Sequence, residues 1–144
     1  MGSGMSILAK HGLKLDDLVE VGFGLYVDTS GNDDIETAKS RLKELLSRNL
    51  EDPNVWLMIA AASYLDEMIA SGSHDTSSLS EDPASLVADE LIGMSIAEYI
   101  AGKKGLFNYV RYDRDKPGVI GDLPPFMDDA VGALVAASMT RVFE

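Results

Sequence analysis

The hydrophobic pattern of the chain reads as a series of helices separated by turns and polar loops. Lys14 to Val27 places Leu15, Leu18, Val19 and Phe23 on one face, with Gly22 and Gly24 weakening its second half. Asp33 to Asn49 is an amphipathic surface helix with Ile35, Ala38, Leu42, Leu45 and Leu46 inward. Asp52 then N-caps a new helix with Pro53 at its first position. That helix, Asn54 to Ala70, is apolar almost all round, which predicts a central position. A serine-rich loop follows from Ser71 to Glu81 and carries His74, for which solvation is the expected state, as it is for His11. Asp82-Pro83 opens a helix to about Ala101, with Leu86, Ile92, Ile96, Tyr99 and Ile100 as its stripe. A basic, proline-punctuated loop containing Lys116 leads into the last apolar helix, whose first turn holds Asp128 and Asp129. The expected fold is all-α, a single bundle of about five to six helices. Met1-Gly2-Ser3-Gly4 reads as an appended leader and residues 5–144 as one domain.

Three helices each carry an adjacent acidic pair: Asp66-Glu67, Asp89-Glu90 and Asp128-Asp129. In each pair at least one member points to the apolar side. Dipole complementation explains Asp128 and Asp129 on its own. It does not explain Asp66-Glu67, which sit in the C-terminal half of their helix, where negative charge is disfavoured. A core carboxylate needs a cation, hydrogen bonds or a metal. Gly93, four residues beyond Asp89, leaves space for a close neighbour: a helix, a metal or a ligand.

Composition narrows the chemistry. The chain has 144 residues, a net charge of −12, no cysteine and two histidines. This excludes disulfides, thiolate catalysis and sulfur-based zinc sites, and argues against a nucleic-acid surface. A metal would sit among oxygen ligands, hence Mg²⁺ or Mn²⁺. No apolar run approaches the ~18 residues of a membrane span, and no signal peptide is visible, so a soluble cytoplasmic protein without integral membrane association is expected. The turn Asp28 to Asn32 lacks the glycine and final glutamate of a calcium loop. Lys103, Lys104, Arg111, Arg114 and Lys116 form the basic cluster, either a solvated loop or a phosphate-binding edge, interleaved by Phe107, Tyr109 and Tyr112.

The motifs V-A-D-E-L-I-G-M (Val87 to Met94), N-Y-V-R-Y-D-R-D-K-P-G-V-I (Asn108 to Ile120) and F-M-D-D-A-V-G-A (Phe126 to Ala133), together with Leu65-Asp66-Glu67, resemble the phosphatidylglycerophosphatase A superfamily, in particular its small soluble branch. The resemblance covers about residues 50 to 143. The glycine- and proline-rich N-terminal signature of the membrane members is not matched by Gly22 to Val27, and Val110 stands where many members have arginine.

The resemblance implies Mg²⁺-dependent phosphomonoester hydrolysis. It implies Glu67, Asp89, Glu90, Asp128 and Asp129 as metal carboxylates, Lys116 as the phosphate holder and Asp113 as an orienting group; Arg111 or Arg114, from the basic cluster, would aid Lys116. Glu90 or Glu67 would take the proton of the attacking water. Similar short archaeal members are α-ribazole-5′-phosphate phosphatases of cobamide (vitamin B12) biosynthesis, which suggests a small soluble phosphorylated substrate, its ring set against Phe107, Tyr109 and Tyr112. The alternatives are phosphatidylglycerophosphate hydrolysis, nucleotide pyrophosphate cleavage, and a non-catalytic helical scaffold. The apolar helices suit a homodimer.

Overall fold

The computed structural model describes residues 2–28, 31, 34–72 and 86–144. His74, most of the serine-rich loop, the helix start expected at Asp82-Pro83 and part of the Asp28 to Asn32 turn lie outside them. The described residues form six α-helices and no strand: α1 (Ser3–Lys10), α2 (Leu15–Phe23), α3 (Ile35–Glu51), α4 (Pro53–Ser71), α5 (Ala88–Asp115) and α6 (Pro125–Val142). A 3-10 turn, Gly118–Asp122, links the last two. None of these helices is long and apolar enough to cross a membrane.

The local signals hold where helix chemistry is strong. Asp34 caps α3 by accepting from the Thr37 N–H at 3.1 Å. Asp52 caps α4 through the Asn54 N–H at 2.9 Å, with Pro53 in the first turn. α3 buries Ala38, Leu42, Leu46 and Leu50 at helical spacing. Ser3 and Gly4 are part of α1, and Gly4 is buried against the Leu50 backbone.

The centre of the bundle is α6, not α4. Apolar and small residues run continuously through α6, so fourteen of its eighteen residues are buried. α2, α3, α4 and α5 pack around it. α4 buries only the face carrying Val55, Ile59, Ala62, Ser63 and Asp66, and leaves Leu57 and Tyr64 exposed. Its apolar surface exceeds what its place at the periphery can cover.

The stretch 103–115, read from its charges as a loop, is helical. α5 is a hairpin of two helical arms. Gly102 has φ 63° and ψ −150°, a conformation closed to residues with a Cβ, and together with Ala101 (φ −139°, ψ 16°) it breaks the helix. In a straight helix Gly93 and Tyr109 would be ~24 Å apart. Instead a Cβ on Gly93 would lie 2.4 Å from the Tyr109 hydroxyl. The close neighbour that Gly93 admits is therefore Tyr109, from the second arm. Tyr99, assigned to the apolar stripe, is exposed and donates to Asp52 Oδ2 at 2.9 Å.

Candidate active site

The site is built where α6 begins. The N-cap position of α6 is Pro124, which offers no capping side chain. The first-turn N–H groups are satisfied from another helix. Asp66 of α4, buried at 6% exposure, accepts from the Phe126 N–H at 3.0 Å and the Met127 N–H at 2.8 Å. This is the work of an N-cap side chain carried out across the bundle. Burial raises the Asp66 carboxyl above its ordinary range, and the two N–H groups oppose that rise. Asp66 was a core carboxylate without a role in the sequence; its face, shared with Val55, Ile59 and Ala62, was the available signal.

With the start of α6 anchored, Asp128 and Asp129 meet the end of α5. Lys116 terminates α5 in the left-handed region, φ 43° and ψ 60°. That position ordinarily favours glycine. The turn brings the Lys116 ammonium to 3.1 Å from Asp113 Oδ1, 3.1 Å from Asp128 Oδ2 and 3.8 Å from Asp129 Oδ1. Oxygens of Asp113, Asp128 and Asp129 lie within 4.8 Å of one another.

Three carboxylates around one ammonium cannot all ionise at low cost in a buried setting. Asp129 is the most buried, at 2% exposure. Burial, reinforced by the Asp113, Asp128 and Asp89 carboxylates, pushes its carboxyl up to about 11. Burial also raises Asp128, against the opposing hydrogen bonds of Asp129 and Lys116. Burial works to raise Asp113, but hydrogen bonds to Asp129 and Lys116 outweigh it and hold that carboxyl below its usual range. Lys116 stays charged: burial opposes its protonation, but Asp128 and Asp113 more than compensate. This asymmetry favours one proton shared within the group and carried on Asp129.

Two further groups from α5 complete the surroundings. Asp89 interacts with Asp129, and its Oδ1, like Asp129 Oδ2, is buried without a hydrogen-bond partner. The Tyr109 hydroxyl is also buried and unpartnered, and its pKa is raised by burial and by Asp129, Asp113, Glu90 and Asp89. Sequence reasoning treated Tyr109 only as an aromatic surface; the Gly93 contact shows why it is a wall of this site. Glu90 is exposed and borders a groove of about 410 Å³ together with Asp113 and Tyr109.

The remaining sequence candidates lie elsewhere. Glu67 faces outward from α4, pairs with Lys10 and is not among the three grouped carboxylates. Arg111 donates to Asn108 Oδ1 at 2.9 Å and to the Leu25 carbonyl at 3.0 Å, tying α5 to the end of α2. Arg114 is exposed and pairs with Asp115 at 3.1 Å. Neither arginine is paired with the three carboxylates around Lys116. Tyr112 is buried and its hydroxyl donates to the Gly22 carbonyl, so it offers no open ring face. His11 is partly buried and bonds to Ser63 Oγ at 2.8 Å instead of being solvated.

Comparison with known proteins agrees with this architecture. The chain is 38% identical over 130 residues to the uncharacterized protein MJ1330 of Methanocaldococcus jannaschii, covering 88% of this chain and all of that one. It is 26% identical over 143 residues to the uncharacterized protein YutG of Bacillus subtilis, covering 94% of this chain and 85% of that one. The crystal structure of the low temperature requirement C protein of Listeria monocytogenes superposes with a TM-score of 0.80 at 24% identity, over 97% of this chain and 92% of that chain. Protein ypjQ of Bacillus subtilis superposes with a TM-score of 0.78 at 23% identity, over 97% and 90%. These two share the fold. The profile described as phosphatidylglycerophosphatase A matches residues 12–144, and the chain belongs to that family.

Proposed function

We propose that the protein is a Mg²⁺-dependent phosphomonoester hydrolase acting on a small soluble phosphate ester, with α-ribazole-5′-phosphate as the leading substrate and the cytoplasm as its compartment. Membership of a phosphatase family supports the reaction class. The observation that carries the reading is the Lys116 ammonium held among Asp113, Asp128 and Asp129.

The donor set fits a hard divalent cation. The grouped atoms are carboxylate oxygens, and buried oxygens of Asp89 and Asp129 have no partner. Such atoms are costly to leave unsatisfied, and Mg²⁺ prefers oxygen donors. Asp89, Asp128 and Asp129 would hold it, with Asp113 beside them. When bound, Mg²⁺ supplies positive charge for the phosphoryl group and for activation of water.

The chain's own residues perform the rest. Lys116 offsets charge on the phosphoryl oxygens, exchanging one of its ion pairs for the substrate. Asp113 holds the Lys116 side chain from the preceding turn. Glu90, exposed beside Asp113 on the groove, offers a carboxylate for proton transfer at the phosphate ester. Hydrolysis forms a bond from the water oxygen to phosphorus and breaks the ester P–O bond. The water gives up one proton as the departing ester oxygen gains one, and inorganic phosphate and the neutral alcohol leave.

The test is phosphate release at neutral pH, with and without Mg²⁺, from α-ribazole-5′-phosphate and short-chain phosphatidylglycerophosphate side by side. Faster Mg²⁺-dependent release from the first is expected. Preference for the second would make this a lipid phosphatase. No release from either, with no Mg²⁺-dependent rise in melting temperature, would make it a scaffold.

A further inference from the structure

The two arms of α5 enclose a groove of about 410 Å³ whose apolar walls the proposed chemistry does not use. Its walls are Met94, Leu106, Phe107 and Val110. Three of these are open to solvent: Phe107 at 72%, Val110 at 55% and Met94 at 37%. Large apolar side chains grouped in one exposed groove mark a contact surface. The groove does not stand apart from the carboxylate cluster. Tyr109 and Asp113 line it, and Asp113 accepts from Lys116. Among the described residues Glu90 is its other acidic lining residue, and no cationic side chain lines it.

We infer that this groove receives the leaving group of the phosphate ester, and that it selects a neutral, flat, apolar ring over a short polyol or a pair of acyl chains. The inference rests on the phosphatase reading. Continuity with Asp113 identifies the occupant: a phosphoryl group held at Lys116 directs its ester oxygen toward the groove. The volume falls in the range of sites for single ring-bearing ligands. Four apolar side chains favour a ring. Glu90 and Asp113 accept hydrogen bonds from hydroxyl or N–H groups and repel a second anionic group. Phe107 and Val110 are thus specificity-determining residues on the second arm.

The first experiment measures kcat/KM with Mg²⁺ for 1-naphthyl phosphate, glycerol 3-phosphate and dihexanoyl phosphatidic acid. The naphthyl ester should be preferred. The naphthyl-to-glycerol ratio should fall about tenfold in Phe107→Ala and in Val110→Ser, mainly through KM. In Leu57→Ser, an exposed apolar position on α4, the ratio should stay at the wild-type value. Preference for the phosphatidic acid, or an unchanged ratio in both groove variants, overturns the inference. The second experiment needs no turnover: 1-naphthol titrated into wild-type protein, followed by backbone amide NMR. Saturable shifts at Phe107 and Val110 support the groove even if every ester is inert, an outcome that would sink only the phosphatase reading. Absence of those shifts overturns the groove assignment. If that absence accompanies a sedimenting dimer that Val110→Asp dissociates, the face belongs to a second copy of the chain.

Discussion

Asp129→Asn in metal-free protein probes the centre of the site through stability alone. The wild-type carboxyl sits at about 11 in the fold against its ordinary 3.8. A group raised on folding contributes stability that is fully present below its unfolded pKa and is lost as pH rises toward its folded pKa. The loss runs at about 1.4 kcal/mol per pH unit, or about 3 kcal/mol between pH 5 and pH 7. Against a domain stability of ~5–15 kcal/mol that is readily measured. Asp113 and Lys116 do not disturb the window, and Asp128 and Asp66, both raised by burial, can only steepen the fall in the same direction. The lowered Asp113 contributes steadily above its unfolded pKa, and the raised Lys116 contributes steadily below its own. Asparagine is neutral in both states, and its amide can still donate to Asp113 and Asp128. Urea unfolding in EDTA at pH 5, 6 and 7 should therefore show wild-type stability falling with pH and the variant losing about 1.4 kcal/mol per unit of that slope. Added Mg²⁺ should stabilise the wild type and leave the variant nearly unmoved. A wild-type stability flat across this range, or a variant with the wild-type slope, would falsify the shared-proton account.

Four other outcomes follow from the same geometry. Lys116→Gln should lower Mg²⁺-dependent phosphate release by about 10²–10³ in kcat, read in a steady-state assay; Lys116→Gly should be as inactive but ~1 kcal/mol more stable than Lys116→Ala, because glycine relieves the left-handed backbone. Asp66→Ala strands two buried N–H groups at the start of α6 and should cost about 2–4 kcal/mol by urea unfolding, with Asp66→Asn milder. Gly93→Ala drives a Cβ into Tyr109 and should destabilise by about 1–3 kcal/mol; an unchanged melting temperature would argue against the hairpin packing. Glu67→Gln should retain the Mg²⁺-induced rise in melting temperature, because Glu67 is turned to Lys10 at the surface.

The all-α class, the amphipathic face of α3 and the Asp52-Pro53 start of α4 were determined by the sequence alone. Each depends on residues within a turn or two of one another, so periodicity and capping chemistry report them directly. The approach of Lys116 to Asp128 was legible for a similar reason: a short proline-bounded segment cannot carry them far apart. Tertiary structure decided the rest. Charge alone made 103–115 resemble a loop, and only packing of Gly93 on Tyr109 reveals a helical arm. Periodicity put α4 at the centre, because a helix apolar on all sides does not report how many neighbours it will have. Asp66 and Glu67 are adjacent in sequence but about 100° apart around the helix. One caps α6 from within, and the other pairs with Lys10 outside. Arg111 follows Val110 by the same rotation, which turns it to Leu25 while Val110 lines the groove. The carboxylate group itself joins the end of α5 to the start of α6 and to Asp89. Which members of three acidic pairs converge is set by long-range packing, and no local pattern encodes that.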